Sequence, residues 1–161
     1  MPGMTRDQMF DMMSLEQALY AYCDELDSGA LRIQNYFTQD CSFKVGETVW
    51  RGRAGVRQHY DDDAKAVKRL CKDGIKTVRH AMLNLRIAVH DDGSASARFI
   101  FLNFSAGGAG PHMDAASPAV VADTSLACRR DAAGNWLIHD FLGTPLFFGN
   151  DPYMNTVLQQ M

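Results

Sequence analysis

Four long strand-like runs, one after another between residues 75 and 148, constrain this chain more than any other feature. They are residues 75–90, then "SASARFIFLNFSA", "AVVADTSLACRRD" and "WLIHDFLGTPLFF". The turn "HDDG", the loop "GGAGPHMDAASP" and the turn "AAGN" separate them. Alternating apolar and polar residues between such turns predict a meander of antiparallel strands. The loop at 106–118 is longer than a usual hairpin connection, which suits a lid or an interface element.

The first half reads differently. A helix is expected over residues 14–28, with Ser14 as N-cap, Gln17 completing a capping box and Gly29 as the stop. Leu15, Leu19, Tyr22, Cys23 and Leu26 form its apolar stripe. A short helix over 30–37 and a polar "TQD" turn should follow. Two short strands, "CSFKV" and "TVWRG", meet at Gly46-Glu47, and a second helix is expected over 54–72. Helices first and a meander afterwards is the α+β class. The helices would pack on one face of a strongly curved, mostly antiparallel sheet and enclose a cone-shaped core.

At 161 residues one domain, 1–161, is the expectation, with 1–13 a lead-in segment and 149–161 a tail. A net charge of −3 argues against general nucleic-acid binding. The basic run Lys65, Lys68, Arg69, Lys72, Lys76 and Arg79 reads as a solvated helix face and its exit loop. No run approaches a membrane span or a signal sequence, so no membrane partner is expected. Cys23, Cys41, Cys71 and Cys128 are scattered without a C-x-x-C pair, which fits reduced packing residues and a cytoplasmic location. His59 and Asp63 have the spacing of a metal pair but lack a third ligand, so no metal is expected. No cofactor-binding motif occurs: "SAGGAGP" does not open a helix.

The first long strand poses a problem of parity. In "TVRHAMLNLRIAVHDDG", Ala81, Leu83, Leu85, Ile87 and Val89 form one row. His80 then falls in the wet row with Met82, Asn84, Arg86 and His90. On the first helix, Asp27 and Tyr22 flank the apolar stripe on opposite sides, whereas Asp24 points away. Asn103 shares a row with Phe99 and Phe101, and Asp123 and Ser125 share one with Val121. Phe43, Trp50, Tyr60, Phe99, Phe101, Trp136 and Phe141 suit either a core or the lining of a pocket.

The strings "YAYCDELDSGAL", "YFTQDCSF", "WRGRAGVRQHY", "RHAMLNLRIAVHDDGSASARF" and "RRDAAGNWLIHDF", in that order, resemble the SnoaL-like branch of the NTF2-like superfamily. The resemblance covers about residues 14–142. Within the branch the chain is most similar to the scytalone dehydratase and bile-acid dehydratase type. That likeness implies a dyad of Asp27 and His80, with Tyr22 as a further catalytic residue and Asn103 at a polar pocket position. Relatives can carry an Asp at the Asn103 position, so their second acid is missing here. The second histidine of scytalone dehydratase is not evident, and the general base of ketosteroid isomerase would fall near Lys44. To bring His80 inward, the strand would need a β-bulge between His80 and Leu83.

A neutral imidazole titrates near ~6.5, which suits removal of a proton beside a carbonyl, and a carboxylate on its other nitrogen fixes the tautomer. The implied function is a cofactor-independent dehydratase or isomerase for a small hydrophobic carbonyl compound of aromatic, polyketide or steroid-like type. His80, Asp27 and Tyr22 would be catalytic; Asn103, Phe43, Trp50, Tyr60, Phe101 and Ser125 would bind substrate. The alternative is a non-catalytic ligand-binding or partner-subunit module, such as the small subunit of a ring-hydroxylating dioxygenase. In either case a homo-oligomer, dimer or trimer, is expected through the free sheet face.

Overall fold

A computed structural model describes residues 4–113 and 117–149. Two helices, α1 (Arg6–Asp27) and α2 (Gly52–Leu70), pack on a sheet of six strands. The strands are β1 (Phe37–Val45), β2 (Thr48–Arg51), β3 (Lys76–Val89), β4 (Ala95–Gly107), β5 (Val120–Arg130) and β6 (Trp136–Phe148). Their order is β2-β1-β6-β5-β4-β3. All neighbours are antiparallel except β1 and β6, which run parallel. The α+β reading holds, and the meander β3 to β6 lies where the alternation and turns placed it.

The first half differs in two places. α1 begins at Arg6, so much of the expected lead-in is helical. Thr5 is the N-cap, and with Gln8 it makes the reciprocal capping box that was assigned to Ser14 and Gln17. Both pairs fit the same S/T-x-x-Q pattern. Ser14 instead lies inside the helix, donates to the Asp11 carbonyl at 3.0 Å and accepts from Trp136 Nε1 at 3.0 Å. The expected helix over 30–37 is only a 3₁₀ turn, Ile33–Tyr36. Ala30 turns the chain with φ 56°, and Phe37 already enters β1, so "TQD" is strand with an irregular register against β6. Of the expected tail, only Gly149 is among the described residues.

α1 packs chiefly on β3 and α2 on β1, at opposite ends of the sheet. Arg57 on α2 donates to the carbonyls of Ala30 and Leu31 at 2.5 and 2.9 Å, and Arg53 to that of Phe37 at 2.6 Å. These bonds tie the end of α1 to α2. Leu15, Leu19, Tyr22, Ile33, Phe37, Phe43 and Val56 are almost wholly enclosed below them. Burying each such side chain contributes about 1.5–3 kcal/mol. Cys23, Cys41 and Cys128 are buried among them, and all four cysteines are unbridged.

The sheet must bend. β3 has 14 residues and would extend about 46 Å if straight. A chain of this length has a radius of gyration of about 15 Å, hence a diameter of about 40 Å. Bulges supply the bend. The β3–β4 register slips between Leu83 and Arg86, and the β5–β6 register slips twice along β6.

Candidate active site

The β3 bulge decides which side chains line the interior. Leu83 pairs with Ile100 and Arg86 with Arg98, so Asn84 and Leu85 together oppose Phe99. Asn84 takes φ 55°, the left-handed conformation that Asn tolerates better than most residues. The bulge therefore lies just beyond the expected His80–Leu83 interval. Its effect on parity is the required one. Met82 packs inward before it, and Leu85, Ile87 and Val89 pack inward after it. Leu83, expected in the core row, is 46% exposed on the outer face. The side chain of His80 is only 11% exposed.

Asp27, the last residue of α1, meets that histidine. Its Oδ1 lies 2.8 Å from His80 Nδ1. The backbone N–H of His80 also donates to Oδ1 at 3.0 Å and to Oδ2 at 3.3 Å. An ionised carboxylate can only accept, so Nδ1 carries the ring hydrogen. Across the β3–β4 pair, Asn103 Nδ2 sits 2.8 Å from His80 Nε2 and donates to it. Nδ1 is thus turned to the carboxylate and Nε2 to the Asn103 amide. Phe101 stacks on the imidazole, with ring centres 5.1 Å apart and planes 27° apart. A backbone bond, two ring bonds and an aromatic face fix the ring.

These groups line a cavity of about 860 Å³ between the two helices, roofed by the central strands. Tyr22, Tyr60, Phe43, Phe141 and Thr124 share the lining. The Tyr22 and Tyr60 hydroxyls are 3.5 Å apart. Burial pushes both phenols up, so both stay protonated and can donate. Val120, Ala122 and Gly143 add apolar wall, whereas Gln58, Asp61, Asp63, Lys65, Lys68 and Lys76 bring polar groups. Asp63 Oδ2 and Lys76 Nζ are 3.1 Å apart, which ties α2 to β3.

Asp27, His80, Tyr22, Asn103, Phe43, Tyr60 and Phe101 are thus brought to one cavity. Two expected binding residues are not. Ser125 lies on the outer face of the sheet, in a shallow polar depression with Asn84, Arg86, Arg98 and Asp123. The inward row of β5 is Val120, Ala122, Thr124, Leu126 and Cys128. Both rows begin with small or branched apolar residues, so alternation alone does not choose between them. Trp50 stands behind the wall, its ring centre 4.3 Å from His59 and 5.6 Å from Phe43. Asn103 faces the cavity as expected, but its amide holds His80.

His59 is one of the lining residues that the sequence reading passed over, with Thr124, Val120 and Ala122. Its spacing to Asp63 suggested only an incomplete metal pair, and among the described residues no group of metal-binding side chains occurs. The usable signal was its aromatic setting: its ring packs against Phe43, Trp50 and Tyr60. Burial lowers its pKa to about 4, so it is neutral at ordinary pH.

Comparison with known proteins agrees with this architecture. Three solved structures illustrate the likeness. One is a putative scytalone dehydratase from Novosphingobium aromaticivorans DSM 12444, 13% identical, with TM-score 0.74 and 92% of each chain covered. Another is ActVI-ORFA from Streptomyces coelicolor, 18% identical, with TM-score 0.69, covering 83% of this chain and 96% of that one. An NTF2-like protein with a cystatin-like fold from Novosphingobium aromaticivorans is 19% identical, with TM-score 0.67, covering 94% and 90%. At these identities the likeness shows the NTF2-like fold. No curated protein matches the sequence. Among the described residues no helix is long and apolar enough to cross a membrane. The model of the SnoaL-like domain matches residues 8–141, most of the chain, and the protein belongs to that family.

Proposed function

We propose that the protein is a cofactor-independent dehydratase or isomerase acting on a small, largely apolar carbonyl compound. The observation that carries this reading is the His80–Asp27 pair, 2.8 Å apart inside a cavity large enough for a fused-ring ligand. In the proposed reaction, substrate displaces the Asn103 amide from His80 Nε2. That nitrogen then removes a proton from the carbon beside the carbonyl. Asp27 holds Nδ1–H and balances the imidazolium charge as it forms. The Tyr22 and Tyr60 hydroxyls donate to the carbonyl oxygen as it becomes an enolate. The imidazolium returns its proton to a hydroxyl on the next carbon, the C–O bond breaks and water leaves. Without a leaving group, the proton returns to a different carbon of a conjugated enolate and the outcome is isomerisation. Similarity to a putative scytalone dehydratase supports this chemistry.

The test is turnover of a β-hydroxytetralone, whose dehydration yields a naphthol that absorbs in the near ultraviolet. His80→Ala and Asp27→Asn should each lower the rate by about 10²–10⁴-fold. Asp27→Asn retains an acceptor for the backbone N–H of His80, so its loss reads the charge rather than the fold. Equal turnover by all three chains refutes the dyad. The reading includes self-association through the outer sheet face, where Leu83, Leu142 and Phe147 are exposed. Light scattering on native protein and Phe147→Lys measures it, and a monomeric native chain refutes it.

A further inference from the structure

The dyad leaves several polar groups of the cavity unused, and His59 is one of them. His59 stands on α2, on the wall nearest β1, whereas His80 stands on β3. Both ring nitrogens of His80 are engaged, by Asp27 and by Asn103. Neither ring nitrogen of His59 has a hydrogen-bond partner among the described residues, and neither is sealed from solvent. A neutral imidazole always offers one N–H donor and one acceptor. Here both belong to a ring held by Phe43, Trp50 and Tyr60 at centre distances of 5.3, 4.3 and 4.7 Å. A ring fixed by packing presents its polar edge without further loss of freedom.

We infer that His59 is a ligand-binding residue for a ring hydroxyl, on the α2 wall of the cavity. The ligand class is then an aromatic or fused-ring compound with a phenolic or alcoholic oxygen in addition to its reacting carbonyl. The hydroxyl donates to the unprotonated nitrogen of His59 or accepts from its N–H. Phe43 and Tyr60 face the ring that carries it. This rests on the cavity being the small-molecule site proposed above, and the experiment separates the two ideas.

The probes are naphthalene and naphthol, titrated against the whole chain. Trp50 fluorescence reports binding, because its ring lies against His59. The native chain should bind naphthol about 3–10-fold more tightly than naphthalene, the worth of one hydrogen bond. His59→Phe keeps the aromatic packing and should erase that preference while naphthalene binds as before. His59→Gln, which restores a donor and an acceptor, should recover part of it. The ring ¹⁵N resonances of His59 should move with naphthol and stay in place with naphthalene. An unchanged naphthol preference in His59→Phe overturns the inference and leaves the proposed function standing. Failure of both probes to bind the native chain overturns the fused-ring pocket itself.

Discussion

Asn84 controls which way β3 presents His80, and replacing it with valine tests that directly. Its φ of 55° belongs to the left-handed region. A left-handed backbone costs an ordinary L-residue about 1–2 kcal/mol, and a β-branched residue is a poor occupant of that region. Asn84 is exposed, so its replacement removes no core contact. With a urea m-value of about 2–3 kcal/mol/M, Asn84→Val should lower the unfolding midpoint by roughly 0.3–1 M. Asn84→Gly, free of the Cβ clash, should stay close to native. Valine can relieve the strain only by leaving the left-handed conformation. That disturbs the two-against-one pairing with Phe99 and the inward aim of Val78, His80 and Met82. Naphthalene binding should therefore weaken in Asn84→Val and persist in Asn84→Gly. Equal midpoints for all three chains would refute the claim that this one backbone conformation holds the site.

Two further outcomes follow from buried groups. Thr124 is 4% exposed and its Oγ1 has no partner among the described residues, so the near-isosteric Thr124→Val should stabilise the free protein by about 1 kcal/mol. Calorimetry should show a rise in Tm of about 2–4 °C, and a fall would mean the hydroxyl is satisfied. For His59, the folded pKa of about 4 lies below the ordinary 6.5, so between those values the unfolded chain binds the extra proton. Its contribution is therefore intact above pH ~6.5 and is lost as pH falls towards ~4, a change of about 2–3 kcal/mol after allowance for partial exposure. The stability difference between native and His59→Phe, followed by urea midpoints across this range, should shift by that amount. A pH-independent difference would show that the folded ring titrates normally.

The meander was legible because long alternating runs and tight turns leave few options. β6 occupies the quoted "WLIHDFLGTPLFF" from end to end. Row assignment was legible only where one row was plainly apolar. On β5, Val120 and Val121 start competing rows, and only packing selects the row that contains Thr124. On β3, the alternation changes rows at Asn84, so the expected core row is right after the bulge and wrong before it, and the sequence does not say where the extra residue sits. The helix start at Thr5 was obscured by a second, equally good capping pattern at Ser14. The Asp27–His80 contact was reached through resemblance, because nothing local links two residues 53 positions apart.

That separation has a consequence for how the site comes into being. Asp27 is the final residue of α1, where Ser28 N–H still bonds to the Asp24 carbonyl and Ala30 N–H reaches that of Glu25. The strands β3 to β6 follow one another in sequence and can zip together as hairpins. The contact between the end of α1 and β3 closes a far longer loop. During refolding, sheet formation and site formation are then separable in time. Recovery of ligand binding reports the docking of a helix end onto a finished strand, and it should lag behind recovery of the β-sheet signal.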